Sequence, residues 1–218
     1  KDLYNQVAKV SYSFKKLGIK EGDRVAAVMP NVPETIICML AASSIGAIWS
    51  SCSPDFGVKG ILDRFKQINP KIIISVNGYL FKGKIFDISD KVTQISKKIN
   101  SIKNTVMIDY LNIGLINKKY LSWNDLLLNN STSITFTQLP FKHPLYIMYS
   151  SGTTGKPKSI VHSSGGTLIQ HYKELALHTD LKENDVIFYY TTCGWMMWNW
   201  LISVLASKAS IVLFDGFP

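Results

Sequence analysis

Between Tyr149 and Lys158 the chain reads Tyr-Ser-Ser-Gly-Thr-Thr-Gly-Lys-Pro-Lys, setting two glycines, four aliphatic hydroxyls and two cations directly after an apolar run. These are residue types that hold phosphate. Gly152 and Gly155 allow positive φ and close backbone approach, so successive N–H groups can converge on an anion. Ser150, Ser151, Thr153 and Thr154 add hydroxyls that can serve as donors or as a ligand for Mg2+, while Lys156 and Lys158 bring positive charge. The stretch is not a Walker loop, which needs four residues between its glycines and a Ser or Thr after its lysine. Here two residues separate Gly152 from Gly155, and Pro157 follows Lys156.

A second cluster, Thr191-Thr192-Cys193-Gly194-Trp195-Met196-Met197-Trp198-Asn199-Trp200, gathers three tryptophans and two methionines where a strand gives way to a helix. Trp195 reads as a pocket residue, because Gly194 before it frees the backbone to present a side chain at the carboxyl edge of a sheet. Trp198 and Trp200 read as helix packing. His162, just behind the phosphate-type loop, either faces a nucleotide or substrate or packs at a strand end, and both readings stay open. His143 is expected at the surface. His171 and His178 fall seven apart on one helix face without a third ligand, so they define no metal site. The Gly-x-Ser-x-Gly elbow of serine hydrolases is absent from the sequence.

The residues from Ser151 to Ser159 resemble the phosphate loop of the adenylate-forming superfamily, which includes acyl-CoA synthetases, luciferases and peptide-synthetase adenylation domains. That loop reads roughly S-G-T-T-G-x-P-K-G, and this chain departs from it at the last position, where Ser159 stands for Gly. The run W-S-S-C-S-P-D-F-G from Trp49 to Gly57, with P-K-S-I-V-H and C-G-W-M-M-W-N-W, is similar to the acetoacetate-using branch of that family. Acetyl- or propionyl-type ligases and peptide-synthetase domains are the neighbouring alternatives.

A carboxylate is a poor electrophile, and enzymes of this family activate it with ATP. The resemblance implies that the carboxylate attacks the α-phosphorus, pyrophosphate leaves, and the acyl-adenylate passes to the thiol of CoA. It therefore implies ATP, Mg2+ and CoA, with small molecules as the partners. Ser150 to Lys158 would hold the β- and γ-phosphates, and Gly194 and Trp195 would border the acyl pocket. The family's C-terminal catalytic lysine has no counterpart before Pro218, nor do its adenine and ribose motifs. The rival reading from another class is a nucleotide-binding fragment without catalysis.

Such a loop needs elements to present it. Apolar residues at helical spacing mark Leu3 to Phe14, Ile36 to Ala41, Val58 to Ile68, Val92 to Ile99, Leu168 to Ala176 and Trp195 to Ser207. Pro33 suits a first helical turn, and Ser163-Ser164 a helix cap. Strands are expected at 24–29, 47–51, 72–76, 105–108, 145–149, 160–162, 186–190 and 210–214, with a possible edge strand at 133–137 and a short helix near 123–128. Alternation of this kind implies an α/β fold of mostly parallel sheets flanked by helices. By resemblance it is a fragment of the N-terminal domain of an adenylate-forming enzyme. Residues 1–139 would form a first α/β subdomain with a variable connector near 111–139, and 140–218 the start of a second that carries the loop. The C-terminal lid domain would lie outside, and Lys1 in place of Met fits a piece of a longer chain.

Composition narrows the class. With 46% hydrophobic and 18% charged residues the chain can bury a core. The net charge of +9 is almost wholly lysine, spread without a stripe, which gives little support for nucleic-acid binding, where arginine leads. Cys38, Cys52 and Cys193 are odd in number and never paired as C-x-x-C, which fits free thiols in a reducing, cytoplasmic setting. The longest apolar run falls short of the ~20 residues of a membrane span.

Overall fold

The computed structural model describes residues 1–114, 119–150 and 155–216. In chain order the elements begin with helix Asp2–Lys16 (α1), strand Arg24–Val28 (β1), helix Pro33–Ser44 (α2) and strand Ile48–Cys52 (β2). Helix Val58–Ile68 (α3), strand Ile72–Val76 (β3), the hairpin Gly78–Phe81 (β4) and Lys84–Asp87 (β5), and helix Ser89–Lys98 (α4) come next. Strands Asn104–Ile108 (β6) and Leu121–Ser122 (β7) precede the short helix Trp123–Leu127 (α5). Strands Pro144–Ser150 (β8) and Lys158–Ser163 (β9), helix Ser164–Lys173 (α6), strand Val186–Phe188 (β10), helix Met196–Ser203 (α7) and strand Ser210–Val212 (β11) complete the order.

One sheet of seven strands, in the order β7-β6-β3-β1-β2-β8-β9, forms the frame. All of its described pairings are parallel except β8 with β9. The expected α/β class, a mostly parallel sheet flanked by helices, is therefore what the chain adopts. Strands β1 and β3 are apolar almost throughout because helices cover both of their faces, so neither face selects polar residues. The core runs from Phe14 and Val25 through Ile73 to Trp49 and Trp198. A separate pair, β10 and β11, aligns in parallel, and its Ile187 and Ile211 pack against a small cluster that includes Leu175, Leu201 and Val204.

Helix α3 is fixed at its end by geometry and by charge. Asn69 takes the left-handed conformation, with φ of 47°, a role that Asn tolerates better than most residues. Arg24 then caps the helix, donating to the carbonyls of Ile68 at 2.6 Å and Asn69 at 3.1 Å, and to Gly22 at 2.9 Å. Guanidinium suits that position because the last turn leaves carbonyls without intrahelical partners.

Several expectations are corrected. Residues 133–137 form no strand, their polar backbone being met singly, as where Thr137 N–H donates to Ser44 at 2.9 Å. The hairpin β4–β5 is an element that periodicity did not reveal. The apolar residues of α6 do not face the core. Leu168, Ile169 and Tyr172 are about half exposed or more; of the expected apolar face Leu175, just beyond the helix, is buried, and the inward positions of α6 itself are Thr167 and His171. Their i, i+4 spacing sets the helix's rotation against α7. His143 is not at the surface either: its side chain is 10% exposed, and Nε2 lies 2.9 Å from the Gly46 carbonyl.

Candidate functional site

The site is built on the β8–β9 hairpin. These strands pair in the register Ser150↔Lys158, Tyr149↔Ser159, Met148↔Ile160 and Tyr146↔His162. Successive side chains alternate across a strand, so Met148, Ser150, Lys158, Ile160 and His162 share one face, and Tyr149 and Ser159 share the other. The phosphate-type loop joins the two strands. Its residues Ser151, Gly152, Thr153 and Thr154 lie outside the described residues. At the loop's exit, Gly155 has φ of +141°, a conformation nearly closed to residues with a Cβ. Lys156 and Lys158 are exposed, and Lys156 helps hold the Asp63 carboxyl below its ordinary range, after the larger effect of the Lys59 hydrogen bond.

Facing the hairpin is the turn into α7. Ser51 Oγ, at the end of β2, donates to the Cys193 carbonyl at 2.6 Å, and the Cys193 thiol donates to the Pro30 carbonyl at 3.2 Å. One turn later, Trp198 is fully buried, stacks on Trp49 with centroids 6.5 Å apart, and donates its indole N–H to Asn31 Oδ1 at 2.9 Å. The whole turn is thereby tied to the carboxyl ends of β1 and β2. That anchoring leaves the preceding residues to project outward, and Trp195 is 64% exposed.

Between hairpin and turn lies an open cavity of about 490 Å3. Met148, Ser150, Ile160 and His162 form one wall, which Tyr149 also borders between Met148 and Ser150; Gly194, Trp195, Met196 and Met197 form the other. Burial holds the His162 imidazole below its ordinary pKa, which favours the neutral ring, and its plane lies 5.0 Å from that of Tyr146, centroid to centroid. The cavity thus joins a mostly apolar chamber to the strand ends that carry Ser150 and Lys158. Chemically it suits a small organic group with an anion beside it.

Of the residues singled out in the sequence, the structure brings Ser150, His162, Gly194 and Trp195 to one cavity. Lys158 begins the strand that supplies its wall. Gly155 and Lys156 stand on the loop's exit. The reason given for Gly194 does not hold, however. Its φ is not in the left-handed range, and an added Cβ would meet Ser53 N at an ordinary 3.4 Å. Met148, Ile160, Met196 and Met197 were not foreseen as wall residues, since apolar side chains in a strand and a helix start carry no mark separating pocket from core. His171 sits apart, buried, with Nδ1 2.8 Å from Ser203 Oγ. Among the described residues no group of three or more His, Cys, Asp or Glu is placed to hold a metal, and no helix is long and apolar enough to cross a membrane.

Against this geometry, comparison with known proteins is specific. The chain belongs to the AMP-binding enzyme family, whose model matches residues 1–218. It is 49% identical to acetoacetyl-CoA synthetase of Gallus gallus over its full length, covering 34% of that relative. It is likewise 49% identical to acetoacetyl-coenzyme A synthetase of Rhizobium meliloti (strain 1021), again covering 34% of it. The solved acetoacetyl-CoA synthetase of Streptomyces lividans superposes with a TM-score of 0.95 at 41% identity, over 98% of this chain and 33% of that one. The chain spans about a third of the length of the curated relatives it matches.

Proposed function

We propose that the polypeptide carrying this segment activates acetoacetate with ATP as an acyl-adenylate and transfers it to CoA, giving acetoacetyl-CoA, AMP and pyrophosphate. The observation that carries the reading is the shared strand face. Lys158, at the end of the phosphate-type loop, lies on the same side of β9 as Ile160 and His162, which wall the cavity. An acid held in the cavity would therefore meet ATP held by the loop, and holding two reactants in place is a large part of what adenylation requires.

In this reading Ser150, Ser151, Gly152, Thr153, Thr154 and Gly155 present N–H groups and hydroxyls to the β- and γ-phosphates. Lys156 and Lys158 offset their charge. ATP enters as its magnesium complex, with Thr153 and Thr154 the hydroxyls next to the metal. Gly194 and Trp195 border the acid, and the neutral His162 lines the floor between acid and phosphate. The expected boundary between the two α/β units at residue 140 moves beyond β9 in this proposal, because β8 and β9 extend the sheet that residues 1–139 begin, and the cytoplasm is its compartment.

The experiment is ATP–pyrophosphate exchange by the polypeptide that carries this segment, supplied in turn with acetoacetate, acetate, propionate and butyrate. Exchange is expected to be fastest with acetoacetate. Exchange with amino acids alone, or with no organic acid at all, would refute the reading. Thr154→Val and Lys158→Ala should each slow the reaction by about 10²–10³-fold while the melting temperature holds, the scale seen when one preorganised donor is lost.

A further inference from the structure

Helix α3 touches both limbs of the phosphate-type loop, a relation that no local motif discloses. On the entry limb, the Arg64 guanidinium sits 4.8 Å from the centroid of the Phe56 ring and 5.7 Å from that of Tyr149, the residue before Ser150. Its Nη1 donates to the Gly60 carbonyl at 2.8 Å, which fixes the plane of the fork. Three residues on, Gln67 takes the exit limb. Its Nε2 donates to the Pro157 carbonyl at 2.8 Å and to the Asp63 carbonyl of its own helix at 2.6 Å. Its Oε1 accepts from the Ser159 hydroxyl at 3.0 Å. One amide thus holds the residues on either side of Lys158.

The register explains why this matters. Tyr149 and Ser159 are cross-strand partners on the face turned to α3, so Arg64 and Gln67 grip the same rung of the hairpin from one side. Lys158 lies on the opposite face, with Ser150 as its partner. A strand clamped through its neighbours at 157 and 159 can turn about its own axis only by breaking both bonds. Ser159 is also the position at which the chain departs from the loop pattern it otherwise follows, and here its hydroxyl has a specific use.

We propose that Gln67 is a positioning residue for ATP-dependent chemistry at the loop: through Pro157 and Ser159 it aims Lys158 at the phosphates. The proposal rests on the functional reading above. Gln67 touches no substrate. Its amide is matched to a carbonyl on one side and a hydroxyl on the other, a pairing that an apolar or acidic residue cannot reproduce.

The test uses the full polypeptide carrying this segment, with Gln67→Leu, Ser159→Gly and the double variant. Gln67→Leu should lower kcat for ATP–pyrophosphate exchange about tenfold with KM for the acid unchanged, the signature of a contact that matters in the transition state. Ser159→Gly should have a smaller effect in the wild-type background and almost none in Gln67→Leu, because the two residues share one bond. Hydrogen–deuterium exchange of the peptide spanning 155–160 should rise in Gln67→Leu while that of β1 and β3 stays as in wild type. Additive kinetic effects, exchange within twofold of wild type, or unchanged deuterium uptake at 155–160 would each overturn the proposal. If the wild-type polypeptide exchanges pyrophosphate with no acid, the functional reading falls, whereas the deuterium measurement still decides whether Gln67 holds the loop.

Discussion

Trp195 and Trp198 are the same residue type three positions apart, and the structure gives them opposite roles. Trp198 is buried against Trp49 with its N–H on Asn31. Replacing it with alanine should cost about 3–5 kcal/mol in denaturant unfolding, the usual range for a large core ring. Trp195 projects into the open cavity, so Trp195→Ala should move stability by less than about 0.5 kcal/mol and appear instead as altered selectivity among short organic acids. Gly194→Ala, by the 3.4 Å contact that its Cβ would make, should leave folding intact. The split between the tryptophans was legible from residue order, since the first follows the strand end and the second lies a turn inside the helix. The role of Gly194 was not, because backbone freedom is a property of φ and a sequence shows only that a glycine permits it. The three thiols are buried, with that of Cys52 pushed up to about 12 chiefly by burial. A thiol reagent at about pH 8 should therefore label none in the folded chain and all three after denaturation, since the thiolate is the reactive form.

At the scale of elements, the strands of the central sheet were readable because burial on both faces leaves continuous apolar runs such as Ile72 to Val76. The hairpin β4–β5 was not. Its turn is Lys82-Gly83, with φ of 49° and 70°, a shape for which Asn-Gly or Asp-Gly is the usual signal, and lysine at the first position hides it. Helix α6 was found but rotated, because Leu168, Ile169 and Tyr172 suggested an inward face whereas Thr167 and His171 take it, with Leu175 just beyond the helix buried as expected. Two imidazoles mark the joint between β9 and α6: His162 and His171 are both held below 6.5, burial being the leading cause. Each is therefore deprotonated more readily in the folded than in the unfolded chain. Their contribution to stability is intact above about pH 6.5 and is lost as pH falls through the lower folded values, where the unfolded chain binds the extra protons. Melting temperature should thus drop between about pH 7.5 and about pH 5.5, and the slope should flatten in a His162→Asn/His171→Asn double variant.

Across the whole molecule, the candidate site assembles parts distant in sequence: the ends of β1 and β2 fix the turn into α7, β8–β9 form the opposite wall, and α3 braces the loop from outside. The loop and the tryptophan cluster were visible as local motifs. Gln67 was not, since its partners lie 90 and 92 positions away and only the folded sheet brings them together. Apolar side chains are also exposed in number along α6 and the β10–β11 pair, with Ile169 at 61% and Val186 at 65%. Exposed apolar surface of this kind is characteristic of interfaces. The 218-residue chain on its own is expected to self-associate as concentration rises, measurable by light scattering, while Ile169→Lys with Val186→Lys should suppress it.

The alternation of side chains along β9 has a consequence for how this loop can vary in length. A residue added between Gly155 and Lys156 lengthens the turn and leaves the pairing of Lys158 and Ser159 as it is. One added between Lys158 and Ser159, inside the paired strand, turns one of the two to the wrong surface, because strand side chains alternate with a period of two. Length changes in the turn should therefore be tolerated, and a single residue inserted within β9 should be ruinous.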